Sequence, residues 1–246
     1  MSIGYIVITI DTPRRERLRT VTHRRLRDAG IEEVSGVRFV NGKVDNLDAE
    51  MQAMGVRLGN GGAGMHKGEV GLWLSTINSL RAIVDGKHEH VIVLEDDAVV
   101  SKSFKTVLPV VLRELPEDYD FFAWAVPENQ RVDYYYDRWF DENGAWTMNL
   151  GPPITREGSP HYLPDRHYVC RAYQGYRAVA IMYSKKGARK ILELINELGI
   201  YEHTDLMIFT KHHTGYLDGY TFFPEARSII DHKETGTTVR STGMYR

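Results

Sequence analysis

The sequence predicts an α/β fold: a mostly parallel sheet with helices on both faces, plus one loop-rich insertion. Three observations carry this expectation. Short, β-branched apolar runs alternate with amphipathic stretches of helical period along most of the chain. The run Val91 to Leu94 is apolar at successive positions, as a strand covered on both faces requires. Between residues 126 and 167 the alternation stops, and Tyr134, Tyr135, Tyr136, Trp139, Phe140, Trp146 and Tyr162 lie among prolines, glycines and charges. At 246 residues the chain is long enough for one large domain, read here as spanning 1–246.

The elements follow in order. Ile3 to Ile10 reads as an opening strand, and Asp11-Thr12-Pro13 supplies a cap and a first-turn proline for a helix that runs to Gly30. That helix carries seven arginines, most of them expected on a solvated face. Val34 to Val40 reads as a second strand closed by Asn41-Gly42. Residues 59–68 contain five glycines; the Walker spacing is absent, so a mobile loop beside a ligand is expected rather than a phosphate-cradling P-loop. Glu69 to Val84 has an apolar stripe at helical spacing through Val70, Trp73, Leu74, Ile77, Leu80 and Ile83. After the strand at 90–94, Ser103 caps a helix to Leu115, Asp120 to Ala125 forms a strand, and Tyr176 to Tyr183 forms another. Ser184 caps a helix that Gly199 ends, Thr204-Asp205 opens the next, and Gly219 to Phe223 and Ser228 to His232 are the last strand-like runs.

Composition narrows the class. A net charge of -2 gives no reason to expect a nucleic-acid partner, and no apolar run approaches the length of a membrane span. The first residues lack the layout of a signal peptide, so the expected location is the cytoplasm, with only peripheral membrane contact left open. The lone Cys170 rules out an internal disulfide and a multi-cysteine zinc site, and it is expected to pack as a small apolar residue. Oligomeric state is not legible.

The most informative stretch is Val91-Ile92-Val93-Leu94-Glu95-Asp96-Asp97-Ala98, a buried strand delivering three consecutive carboxylates at its tip. Alternation points Glu95 and Asp97 one way and Asp96 the other until the chain turns. Carboxylates this close repel one another unless donors or a hard divalent cation neutralise them, which makes the tip a candidate metal site. A solvated acidic turn is the alternative reading.

Together with Gly68-Glu69-Val70-Gly71-Leu72-Trp73-Leu74-Ser75, this stretch resembles glycosyltransferase family 25, which includes lipopolysaccharide glycosyltransferases and collagen galactosyltransferases. The family typically carries Gly-Glu-Ile-Gly-Cys, Leu-Ser-His, and a strand ending Leu-Glu-Asp-Asp. Leu115-Pro116-Glu117-Asp118-Tyr119-Asp120, Tyr183-Ser184-Lys185-Lys186-Gly187-Ala188 and Thr204-Asp205 continue the resemblance in order and spacing. The chain departs from the pattern at Leu72, the family's Cys position, and Thr76, its His position.

The resemblance implies a GT-A type, Rossmann-like fold that binds a nucleotide-sugar with Mn²⁺ or Mg²⁺ and transfers the sugar with inversion. The donor implied is a UDP-hexose carrying galactose or glucose, and the acceptor is a hydroxyl of a glycan, glycolipid or protein. Asp97 and Glu95 are the implied metal ligands, with His232 as a third by analogy to GT-A enzymes whose late histidine closes the site. Asp96, Asp11, Arg17 and Ser75 are expected at the nucleotide, diphosphate or sugar, and Asp205 as the base that takes the acceptor proton. Segment 126–167 has no counterpart in the family and is expected on the acceptor side. Two other readings keep the fold: a carbohydrate-binding protein without catalysis, and a nucleotidyltransferase, although Asp11-Thr12-Pro13-Arg14 is not the glycine-rich, lysine-containing signature of the latter.

Overall fold

The computed structural model describes residues 2–9, 16–43, 45–124, 136–140, 146–150, 168–172, 179–222 and 230–232. The chain begins with β1 (Ile3–Ile8), α1 (Glu16–Asp28), β2 (Glu32–Glu33), α2 (Leu47–Met54), α3 (Lys67–Asp85), β3 (His90–Glu95), β4 (Ala98–Val100) and α4 (Phe104–Glu114). It continues with β5 (Phe121–Ala123), β6 (Tyr136–Phe140), β7 (Trp146–Leu150), β8 (Val169–Arg171), β9 (Ala180–Ser184), α5 (Lys185–Leu198), α6 (Thr204–His213), β10 (Gly219–Phe222) and β11 (Ile230–His232).

Seven strands form one sheet in the order β2-β1-β3-β9-β5-β10-β8. The pairs β1 with β2, β1 with β3, and β5 with β10 are parallel, whereas β9 opposes both neighbours and β8 opposes β10. Five of the seven strands therefore point the same way. Strand alternation sorts the core into two layers. Ile6, Val91, Val93, Phe121 and Ile181 pack against α3, α5 and α6, while Tyr5, Val7, Ile92, Leu94, Phe122 and Met182 pack against α1 and α4. Both faces are covered, as the continuous apolar runs require.

Local chemistry explains the main boundaries. Ser184 Oγ accepts from Gly187 N at 3.0 Å and donates to Tyr119 O at 2.7 Å, so one hydroxyl both caps α5 and ties it to the loop before β5. A Cβ on Gly187 would lie 2.0 Å from Asp120 O, which leaves only glycine at this crossing. Glu114, 5% exposed, accepts from Tyr168 N at 2.8 Å and Val169 N at 3.1 Å and thereby fastens the end of α4 to β8. Glu114→Ala strands these two amides, and the urea midpoint is expected to fall by the equivalent of roughly 2 to 4 kcal/mol. Cys170 is buried on β8, as its composition-based reading expects.

Three expectations need correction. Val34 to Val40 is not a strand. Val34 N still bonds Tyr5 O at 2.9 Å, but past it the backbone is held by side chains of α3: Asn78 Nδ2 donates to Arg38 O at 3.0 Å and Val40 N donates to Ser75 Oγ at 2.8 Å. Its apolar residues pack on the core without a neighbouring strand, which is why the pattern resembled one. The helix α2, capped by Asn46, was not anticipated. The glycine-rich stretch packs against the chain after α5: Gly59 N donates to Ile200 O at 2.8 Å, and a Cβ on Gly59 or Gly62 would come within 2.2 Å of Leu198 O or 2.3 Å of Ile200 O. Its glycines serve close backbone approach in a packed segment, where a mobile loop beside a ligand was expected. Of the 126–167 segment, β6 and β7 are described and pair antiparallel; Tyr134, Tyr135 and Tyr162 lie outside the described residues.

Candidate active site

The parallel strands β1 and β3 end together, with Ile8 paired to Glu95. Open α/β sheets bind ligands beyond such carboxyl ends. Glu95 is the last residue of β3 and keeps the parity of Val91 and Val93, so it belongs to the face covered by α3 and α6. Asp96 and Asp97 form the turn into β4, and Asp96 is 5% exposed.

Helix α1 clamps the segment that follows the turn. Thr22, itself buried, donates from Oγ1 to Ala98 O at 2.7 Å, and the Arg25 guanidinium donates to Val100 O. The other edge of β4 pairs antiparallel with β11, and Ala98 stands opposite His232. Opposed residues in such a ladder have Cα atoms about 5 Å apart. The backbone of His232 is thus one residue removed from Asp97, although 135 positions separate the two in sequence.

Helix α6 reaches the same end of the sheet from below. Its approach is fixed by α3: Trp73 Nε1 donates to Glu202 O at 2.6 Å, His203 Nδ1 lies 3.0 Å from Glu69 Oε1, and Glu69 Oε2 accepts from His66 N at 2.7 Å. Between these elements is a small hollow of about 10 Å³, lined by Ile8, Leu72, Thr76, Glu95, Tyr183 and Thr204 among others. Burial pushes the Tyr183 phenol well above its ordinary value, so it stays neutral. Asp205 follows Thr204 in the first turn of α6, and its Oδ1 accepts from Leu206 N at 2.8 Å.

The structure therefore brings Glu95, Asp96, Asp97, the backbone of His232 and the opening of α6 with Asp205 to one end of the sheet. Other expected residues fare differently. Ser75 is 1% exposed inside α3, where Oγ accepts from Val40 N and donates to Gly71 O at 2.9 Å. Its hydroxyl is committed to packing; the neighbouring Thr76 lines the hollow instead. Arg17 is exposed near the start of α1, whereas Arg19 reaches Thr9 at the end of β1. Asp11 lies outside the described residues. Sequence reasoning missed Thr22, Arg19, Thr76 and Thr204, since threonine and arginine within a helix carry no distinguishing local signal.

The donor chemistry fits a hard divalent cation: three carboxylates within three residues, and a histidine whose backbone pairs beside them. Among the described residues no group of three or more His, Cys, Asp or Glu side chains is already gathered into a metal cage. Mg²⁺-type sites at transferases are commonly held by one or two carboxylates plus the substrate's phosphates.

No curated protein matches the chain. Among solved structures, a mutant of Drosophila β-1,4-galactosyltransferase 7, crystallised with manganese, UDP-Gal and xylobiose, superposes with a TM-score of 0.45 at 8% identity, covering 100% of this chain and 75% of that one. No helix among the described residues is long and apolar enough to cross a membrane. The sequence profile described as glycosyltransferase family 25 (LPS biosynthesis protein) matches residues 5–208, most of the chain from β1 into α6, and the protein is accordingly a member of glycosyltransferase family 25.

Proposed function

We propose that this glycosyltransferase moves a hexose, galactose or glucose, from a UDP-sugar to a hydroxyl of a glycan, glycolipid or protein, with inversion and with Mn²⁺ or Mg²⁺ bound at the Asp97 turn. The single observation carrying this reading is the convergence of the acidic tip of β3, the backbone of His232 and the N-terminus of α6 at one sheet end.

Asp97, with Glu95 and His232, is assigned to the cation, which when bound offsets charge on the departing diphosphate. Asp96 is assigned to the ribose or sugar. Diphosphate contact falls to Arg19 rather than Arg17, because Arg19 is the arginine that reaches the end of β1. Asp205 takes the proton of the attacking acceptor hydroxyl on the face opposite the leaving group. Its place in a first helical turn also suits a plain dipole-complementing carboxylate, so the assignment rests on the family position and on its place at the opening of α6, next to the Thr204 that lines the hollow with Glu95. The chain is read as one catalytic domain acting in the cytoplasm, with 126–167 on the acceptor side.

Isothermal titration with UDP tests the donor and the metal together. Wild-type protein is expected to bind UDP in the presence of Mn²⁺ and at least about tenfold more weakly without it, and Asp97→Ala is expected to remove the difference. Absence of UDP binding under both conditions would overturn the UDP assignment. Metal-independent binding that Asp97→Ala leaves unchanged would overturn the metal site.

A further inference from the structure

The hollow between the tips of β1 and β3 and the opening of α6 holds one polar atom with unmet capacity. Thr204 is 5% exposed, and its Oγ1 is buried without a hydrogen-bond partner among the described residues. A buried hydroxyl left in that state is costly, so a site that retains one is expected to have an occupant that satisfies it. Thr204 is the first residue of a ten-residue helix, whose free amides and dipole favour negative charge. Glu95 lines the same hollow and brings the opposite preference.

These neighbours narrow the occupant. A phosphate or carboxylate placed here meets the Glu95 carboxylate, and a cation held inside the hollow, rather than at the Asp97 turn, meets the positive end of α6 with Glu95 as the one carboxylate in the lining. An apolar group leaves Thr204 Oγ1 as it is. A neutral group that both donates and accepts fits all three, donating to Glu95 while accepting from Thr204. With a volume of about 10 Å³ the hollow admits one water-sized group and not a whole sugar ring.

We infer that the Glu95–Thr204 hollow is a hydroxyl subsite that receives one hydroxyl group of the sugar on the nucleotide donor. It makes Thr204 a determinant of donor specificity, in a hollow that Thr76 also lines. This rests on the UDP-sugar reading above and extends it from the nucleotide to the sugar. A water molecule offers the same hydrogen-bonding chemistry, and the experiment separates the two.

The test compares wild type, Thr204→Val and Thr204→Ser by titration with UDP, UDP-galactose, UDP-glucose and their singly deoxygenated analogues in Mn²⁺, with thermal melting as a check on folding. Thr204→Val keeps the side-chain shape and removes the hydroxyl; Thr204→Ser keeps the hydroxyl. The expected result is that Thr204→Val binds the preferred UDP-hexose about five- to tenfold more weakly while its affinity for UDP is unchanged, and that Thr204→Ser restores the loss. One deoxy analogue is expected to bind wild type and Thr204→Val equally, which identifies the hydroxyl concerned. If wild type and Thr204→Val bind UDP alike and gain the same affinity from the hexose, the hollow holds only water and the subsite is overturned while the donor reading stands. If wild type binds neither UDP nor any UDP-hexose, the donor reading falls and the subsite with it. Should Thr204→Val melt below the assay temperature, the deoxy series on wild type decides: a uniform response to every deletion overturns the proposal.

Discussion

Asp97→Ala is expected to lower the turnover number for sugar transfer by about 10³-fold or more at saturating donor and Mn²⁺, with little change in melting temperature. Breaking the bond between the sugar and the diphosphate concentrates negative charge on the leaving oxygen, and preorganised charge stabilisation at such a position is worth several kcal/mol. On the proposed reading Asp97 supplies it through a bound cation; it sits in the turn between β3 and β4, with Ala98 anchored on one side by Thr22 and on the other by β11. Asp97 is half-buried and belongs to neither apolar core layer, so its removal is expected to spare the fold. Turnover within fivefold of wild type would remove Asp97 from the metal site.

Asp205→Asn is expected to reduce the turnover number by about 10²- to 10⁴-fold while leaving UDP affinity in Mn²⁺ within twofold, the range set by loss of a positioned general base. Asparagine has nearly the same shape, and its amide oxygen can still accept from Leu206 N, the bond that Asp205 Oδ1 makes at 2.8 Å. The substitution therefore separates proton transfer from helix capping. A variant that turns over normally would reduce Asp205 to a first-turn carboxylate; one that loses UDP affinity in step with turnover would move it into the donor site. Rapid-quench measurement of a single turnover separates the chemical step from product release.

The parts of the fold legible in the sequence were those in which one residue type has one physical use. The stripe of α3, the Ser184 cap, the Gly199 stop and the buried run of β3 all signal locally, and each element stands within a few residues of its expected place. The segment 34–40 misled because alternating apolar residues report burial, and burial there comes from α3 rather than from a strand partner. The glycines at 59–68 misled because glycine permits close approach as well as mobility.

At the site, the acidic triplet was legible because three carboxylates after a buried strand demand an explanation. Residues whose roles depend on what the chain brings beside them were not. Thr22 and Thr204 read as ordinary helical threonines until one is seen on Ala98 O and the other in the hollow. The recurrent Gly-Glu-Val-Gly motif, in turn, serves architecture here: Glu69 ties His66 and His203, and a Cβ on Gly71 would lie 2.7 Å from Gly42 N. The two departures from the family pattern, Leu72 and Thr76, both line the hollow, so the chain differs from its relatives' pattern where the donor subsite is inferred.

The ladder between β4 and β11 also sets an order of events during synthesis. Ala98 and its partner His232 are 134 positions apart, so the acidic turn emerges from the ribosome well before the strand that completes its surroundings. Closing so long a loop is entropically costly and is deferred until the intervening strands and helices have collapsed. A nascent chain stalled before residue 230 would carry the three carboxylates yet lack their last neighbour. On the proposed reading, the cation site is complete only once β11 has paired with β4.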